Sequence, residues 1–491
     1  MSSKQKIIFI LLLFIAGVSL YWQSIFIPYY GDDCKYVLNP PPANLFYFFF
    51  HPNPNPDWYR PLEMLFHILF QNIAGINTIP LHSVQLLLHL FLAWGVFYVA
   101  LKLLFSFVHA SISSFFMLVA QTNVFAVASN DTLSQVMGTL CGCASLWCLY
   151  AMNNHNENKK RKVILLYVFS ISLFTLALFS KETSIIFCGT IAILIFVKEW
   201  NSNSARQTAF FQTVKKIFPF LLISVCYLII RSEFITGHYD ERYGLQFNFH
   251  IIKNIALFIF SVFLPVSSVT VMSMLKTKEF LPLILIVFST LAIAVFVLLH
   301  LWKAKERKTV VFIFTIGIIC LFPAALLTKV SELYIYNAMP FFALLVGIAF
   351  GNALMRFNEK VFYKKVILIL FIAALCLSNS YAVYQKVNAM QRNGERANII
   401  LKNIIPFVHQ IPKGGKLFLL NSPSTLPEYS VFQMNGFNVL GLNRIYHLSG
   451  RTDFEMKIIG ENQLDSVSHF QKTVILSLND TTVYNYKNHS R

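Results

Sequence analysis

Apolar runs of about 20 residues recur along this chain from Ile7 to Tyr384, separated by short polar or basic segments. A run of that length crosses a hydrocarbon core of roughly 30 Å as one α-helix. The pattern predicts spans near residues 7–28, 80–104, 107–128, 133–151, 163–180, 183–198, 217–231, 280–302, 309–328, 335–354 and 365–384. The N-terminal run has no small-x-small cleavage pattern, so it reads as an uncleaved first span. A further apolar stretch, 251–275, is broken by Pro265 and is expected to re-enter or to lie at the interface rather than cross. After Tyr384 hydrophobicity falls. "KGGKLFLLNSP", "YSVFQMNGFNVLGL" and "KTVILSLNDTTVYNY" then read as short strands with turns. The expected fold is an all-α polytopic membrane protein of about 11–12 transmembrane helices with a small C-terminal α/β extracytoplasmic domain. The membrane region covers residues 1–385, with a long first outer loop at 29–79, and the small domain covers 386–491.

Composition agrees with the pattern. The chain is 56% hydrophobic and 13% charged, against about 25% charged in soluble globular chains. Its net charge of +18 does not point to nucleic acid, because no basic face with interleaved aromatics is present. The basic residues gather instead in short loops at 153–162, 303–308 and 355–365, as cytoplasmic loops do. With 251–275 not crossing, all three fall on one side. The N-terminus is then inside, and loop 29–79, the turns near 130, 181 and 231, and the tail after Tyr384 are outside. All of the eight cysteines but Cys34 lie in apolar runs and read as small buried hydrophobes.

This topology gathers ionisable residues from separate parts of the chain at the outer face: Asp32, Asp33, Arg60, Asp131, Lys181, Glu182, Arg231 and Glu332. Ionisable groups at membrane depth are costly and usually paired or functional. Each has a plainer reading. Asp32 and Asp33 in "GDDCKYVLN" suit a solvated loop, or a base with a supporting carboxylate, since neighbouring carboxylates raise each other's pKa. Arg60 in "WYRPL", beside Tyr59, suits an interfacial anchor or a phosphate clamp. Asp131 suits a helix cap, and Lys181 with Glu182 in "FSKETS" suits a local ion pair. "LHSVQLLLH" puts His82 and His89 two turns apart on one helix face, where structural hydrogen bonding is the simpler role. "GTLCG" reads as a small-residue helix contact. "LLTKVSELYIYNAMPFF" carries Lys329, Glu332 and two belt tyrosines.

In their order, these pieces resemble the GT-C superfamily of integral-membrane glycosyltransferases. The likeness is to protein O-mannosyltransferase-type enzymes, particularly the transmembrane O-mannosyltransferases with tetratricopeptide repeats, and their bacterial relatives. "GDDCKYVLN" resembles the acidic motif of the first loop. "YRPL", "FSKETS", "YLIIR" and "SELYIY" resemble later signatures. "LHSVQLLLH" is similar to a His-x-x-Asn-x-x-x-His helix, with Gln85 at the Asn position. Before Asp131, Ala128, Ser129 and Asn130 stand where relatives carry Gly-Arg-x.

The resemblance implies a polyprenyl-phosphate-sugar lipid donor and transfer at the outer face of the plasma (inner) membrane. An acceptor hydroxyl on a protein, lipid or glycan is a poor nucleophile, so a carboxylate must take its proton. Asp32 is the candidate base and Asp33 its support. Arg60, Lys181 and Arg231 are candidates to meet charge on the leaving phosphate. Asp131, Glu182, Glu332, His82 and Tyr59 are candidates to orient substrate. Direct displacement implies inversion. No organic cofactor is indicated, and a divalent cation at the acidic pair is left open. Two other readings are a lipid-linked glycan transporter or flippase and a non-catalytic membrane scaffold. The first would show inverted repeats with midplane charges, which this sequence lacks.

Overall fold

The computed structural model describes residues 3–54, 58–104, 106–153, 160–202, 206–235, 244, 246–328, 330–356, 362–421, 437, 440–468, 472–479 and 481–486. Among them, ten helices are long and apolar enough to cross a membrane, or up to 12 if each of two bent pairs is one span. The protein is a multi-pass membrane protein. Helices dominate because hydrocarbon offers backbone groups no partner, so each segment must satisfy its own.

The helices run α1 Ser3–Tyr21, α2 Pro61–Ala74, α3 Ile79–Leu104, α4 Phe107–Val119, α5 Val124–Ala128, α6 Leu133–Asn153, α7 Lys160–Ser180, α8 Ile186–Ser202 and α9 Arg206–Phe234. They continue as α10 His250–Phe263, α11 Ser268–Thr277, α12 Phe280–Trp302, α13 Arg307–Ala325, α14 Met339–Arg356 and α15 Phe362–Val408. The span expected at 107–128 is α4 and α5, bent by 46°. The stretch expected to re-enter is α10 and α11, which turn through 112° at the break holding Pro265. Proline at such a break has no amide hydrogen to donate to a helix.

Two differences from the sequence reading stand out. Helix α2 lies in the second half of the 29–79 loop, where the sequence reading placed no span. Pro61 sits at its start, where a missing amide hydrogen costs nothing. Helix α15 runs unbroken from Phe362 to Val408, through the drop in hydrophobicity after Tyr384. Its continuing buried stripe, Val387, Met390, Ala397, Ile400, Leu401 and Ile404, keeps the helical period beyond the apolar run. The basic loops at 153–162 and 355–365 lie partly outside the described residues.

The small-residue contact at Gly138 and Gly142 joins α6 to the start of α8. A Cβ on Gly138 would sit 2.5 Å from Ser184 Oγ, and one on Gly142 would sit 2.3 Å from the Phe187 ring. This close approach brings the Lys181 turn against α6.

After α15 the chain forms a mixed four-stranded sheet in the order β2-β1-β3-β4. The strands are β1 Lys416–Asn421, β2 Glu455–Gly460, β3 Thr473–Asn479 and β4 Thr482–Asn485. Strand β1 pairs parallel with β2 and β3, Leu419 facing Ile458 and Leu476. Strands β3 and β4 are antiparallel. Helices α16 Leu442–Ser449 and α17 Leu464–Ser468 complete this region. The strand expected at 429–442 lies outside the described residues apart from Phe437 and residues 440–442.

Candidate active site

Four turns, three of them at helix ends, meet at one end of the bundle. The first is the 3₁₀ turn Gly31–Tyr36, which Gly31 enters with φ 56°, a conformation that glycine adopts without steric cost. The second is Arg60, just before α2. The third is Asn130–Thr132, before α6. The fourth runs from Lys181 through Glu182–Ile185, between α7 and α8.

Helix α3 aligns these segments. His82 Nε2 contacts Ile27 O at 2.9 Å, which holds the approach to the acidic turn. Gln85 Nε2 donates to Ala126 O at 2.6 Å, to Ser129 O at 2.8 Å and to Thr132 Oγ1 at 3.2 Å. His89 Nδ1 pairs with Tyr336 OH at 2.8 Å. The residues at spacing 82, 85 and 89 therefore act as clamps on three separate chain segments.

Asp33 is 1% exposed. Its carboxylate accepts from Ser129 Oγ at 2.9 Å, from the Asp131 amide at 3.0 Å and from Asn130 Nδ2 at 3.1 Å. A buried carboxylate without such partners would neutralise rather than stay charged. Ser129 Oγ also lies 2.7 Å from Asp131 Oδ1. One hydroxyl proton is thus shared by two carboxylates. Burial, and next the Asp131 charge, push the Asp33 pKa well above the usual carboxylate range, against the three hydrogen bonds. Asp32 points elsewhere. It pairs with Lys35 at 2.9 Å, and its side chain keeps 27% of its exposure.

The basic groups stand beside this acidic knot. Arg60 grips Glu182 with two bonds, Nε to Oε2 at 2.9 Å and Nη2 to Oε1 at 2.8 Å. Trp58 covers the guanidinium at 4.3 Å, a cation–π contact. Glu63, fully buried, lies 3.7 Å from Arg60 Nη1 and accepts from Tyr36 OH and the Ser134 amide, both at 3.0 Å. Burial raises the Glu63 pKa, opposed by Arg60, the Ser134 bonds and Lys181.

Lys181 is 3% exposed, and its ammonium makes no hydrogen bond or ion pair to the described residues. Burial and then the like charge of Arg60 bring its pKa down to about 8, against the pull of Glu182, Glu63 and Asp131.

Of the other sequence candidates, Arg231 ends α9, within the electrostatic reach of Tyr227, which Glu182 and Arg60 share. Tyr227 OH donates to Tyr59 O at 3.1 Å, and the Tyr59 ring stacks on Phe234 at 5.1 Å. Tyr59 OH donates to Phe49 O at 3.1 Å. Glu332 belongs to a second cluster, pairing with Lys386 Nζ at 2.5 Å. Lys329 lies outside the described residues. The sequence reading passed over Glu63, Trp58, Ser129, Asn130 and Lys386. Glu63 was within reach of pattern reasoning, three residues after Arg60 and in the first turn after a proline. Asn130 and Ser129 carry no signal, because their partner is 96 or more positions away. Among the described residues, no group of three or more His, Cys, Asp or Glu side chains could hold a metal ion.

The C-terminal region braces the acidic turn. Gly441, at φ 65°, would place a Cβ 2.1 Å from Cys34 Cβ. Cys34 Sγ contacts Leu440 O at 3.0 Å, and Arg444 Nη1 donates to Tyr29 O at 2.6 Å.

No protein-family model matches this sequence, and no curated protein does either. Solved structures do share its fold. ArnT from Cupriavidus metallidurans in the apo state superposes with TM-score 0.56 at 13% identity, covering 98% of both chains. The same protein bound to undecaprenyl phosphate superposes with TM-score 0.52 at 11% identity, again covering 98% of both. The Archaeoglobus fulgidus oligosaccharyltransferase, in complex with Zn and sulfate, overlaps with TM-score 0.48 at 11% identity, over 91% of this chain and 62% of that one. The fold shared with ArnT is, in this chain, a many-spanning helical region followed by a small mixed sheet.

Proposed function

We propose that this protein is a membrane glycosyltransferase that moves a sugar from a polyprenyl-phosphate-linked donor to an acceptor hydroxyl, with inversion, at the outer face of the membrane. The observation that carries the reading is the juxtaposition of Lys181, a buried lysine whose ammonium has no direct partner among the described residues, with Arg60 and the Asp32, Asp33 and Asp131 turns. That arrangement supplies a place for a phosphate and a carboxylate beside it. The fold shared with ArnT, solved with undecaprenyl phosphate, supports a donor of that chemistry. The motif resemblance to O-mannosyltransferase-type enzymes favours a hexose such as mannose.

In this reading Asp32 is the base. It keeps solvent access, so an incoming hydroxyl can reach it, and its ion pair with Lys35 is a surface contact of small strength. Asp33 is the support: its three bonds tie the turn of Asp32 to the turn of Asp131. Lys181 and Arg60 stabilise charge developing on the leaving phosphate, and such preorganised contacts are usually the largest catalytic contribution. Arg60 is held in place by Glu182 and Glu63, and Arg231 stands at the rim. The ends of α3, α6, α8 and α9 fix these groups before substrate arrives, so little reorganisation is needed during reaction.

The test is transfer of radiolabelled sugar from a polyprenyl-phosphate donor to endogenous acceptors in membranes. Wild type should transfer label, and Asp32→Asn at equal protein abundance should not. Unchanged transfer by the Asn variant would remove Asp32 from its role. Label that crosses the bilayer still attached to its lipid, without being transferred, would favour the transporter.

A further inference from the structure

Between α3, α6, α8, α13 and α14 the bundle leaves a cavity of about 550 Å³. Its walls are apolar, with Val96, Leu140, Leu194, Ile313 and Leu344 among them. It extends from mid-bundle to Leu103 in the last turn of α3 and Lys308 in the first turn of α13, the end away from the acidic turns. Gly95 lies in the α3 wall, and a Cβ built there would have no atom within 4 Å. Tyr98 and Val197, also in the wall, are 42% and 40% exposed, so the cavity opens to the surroundings of the bundle.

Protein interiors are close-packed, with few voids larger than a water molecule. A space of this size with apolar walls does not hold water, which needs polar partners. A hydrocarbon chain fits it, and the surrounding membrane supplies one. The occupant's other end is set by charge. Lys198 and Lys308 line the cavity, and Glu199, next to Lys198, pairs with Lys216 at 2.6 Å. Among the described residues, Lys102, Lys198, Lys216 and Lys308 against Glu199 and Glu306 leave this end cationic. Tyr98 and Tyr150 bracket it, as tyrosines do at headgroup depth.

We propose that this cavity binds an anionic phospholipid from the leaflet at that end, with one acyl chain in the apolar space and the phosphate at Lys198 and Lys308. A lipid held there would bridge helices from both halves of the chain, α3, α6 and α8 with α13 and α14.

The full chain, purified from nanodiscs of equal phosphatidylglycerol and phosphatidylcholine, should retain phosphatidylglycerol preferentially in native mass spectrometry. The double variant Lys198→Gln with Lys308→Gln should weaken that preference roughly 30-fold, about fivefold per lysine. Gly95→Leu should expel the retained lipid of either class without lowering the melting temperature, because its side chain enters empty space. Equal retention of the two lipids would overturn the proposal, as would retention that neither variant changes. Displacement of the lipid by added polyprenyl monophosphate would assign the cavity to the donor's tail and overturn it too.

Discussion

Two buried lysines in this protein have opposite surroundings. Lys386, in α15, is fully buried and spends each of its three protons. It donates to Glu332 Oε2 at 2.5 Å, to Gln121 O at 3.1 Å and to Gln121 Oε1. Gln121 is itself fixed by Asn379 through its amide at 3.2 Å. Lys181 is almost as deeply buried but has Arg60 for a neighbour, and Arg60 already holds Glu182. Both lysines bear the cost of leaving water. Lys386 recovers it through direct bonds, whereas Lys181 has the nearby charges of Glu182, Glu63 and Asp131 without a direct bond to them among the described residues. The Lys386 ammonium has its donors filled by Glu332 and Gln121 and fastens chain segments together. The Lys181 ammonium, where helix ends converge, has no direct partner among the described residues, and in the reading proposed above it is the group that meets an anion.

The contrast can be broken at either lysine. Lys181→Met should lower sugar transfer about 100- to 1000-fold, the usual loss when one preorganised electrostatic contact is removed, with little change in stability. Asp32→Asn should fall in a similar range, about 1000-fold, through loss of the base. Lys386→Met should act the other way round. It should cost about 3 kcal/mol of stability, because Glu332 loses its partner while partly buried. The rate per folded molecule should change less than about threefold, within the range of an indirect effect. Glu332→Gln in the Lys386→Met background should restore part of that stability. Thermal unfolding in detergent and transfer assays on the same preparations separate the two outcomes.

Acidity offers a gentler probe. Lys181 is charged below a pKa of about 8, whereas an ordinary lysine stays charged to about 10.4. Transfer should therefore fall as pH rises through about 8, by about tenfold per unit where the ammonium is required. Lys181→Arg should move the fall to higher pH, since guanidinium does not deprotonate in this range. The smallest effect is expected at the clamps. Gln85→Ala should slow transfer about three- to tenfold by loosening the turn that carries Asp131, each lost hydrogen bond being worth about 1 kcal/mol.

The membrane frame was legible because span length, loop charge and chain order are local signals. The broken stretch around Pro265 shows this well. One proline pointed to a break in the apolar stretch, and the chain turns through 112° there. The gathering of Asp32, Asp33, Arg60, Asp131, Lys181 and Glu182 followed from topology alone. What stayed hidden was division of labour within that set. Whether Asp32 or Asp33 faces the interior depends on one turn's geometry and on Ser129 and Asn130, far along the chain. Glu332 read as a companion of the outer charges because its partner, Lys386, falls beyond the last apolar run, where the helix was expected to have ended. The C-terminal brace on Cys34 was equally invisible, since Gly441 and Arg444 carry no motif.

The central claim is that the Lys181 ammonium receives a lipid phosphate. Its most direct test is the affinity of the purified protein for a polyprenyl monophosphate, measured side by side for wild type, Lys181→Met and Lys386→Met. Lys181→Met should weaken binding by about tenfold or more, a charge-assisted contact being worth about 1.5–3 kcal/mol, while Lys386→Met should bind as wild type. Equal affinity in wild type and Lys181→Met would contradict it.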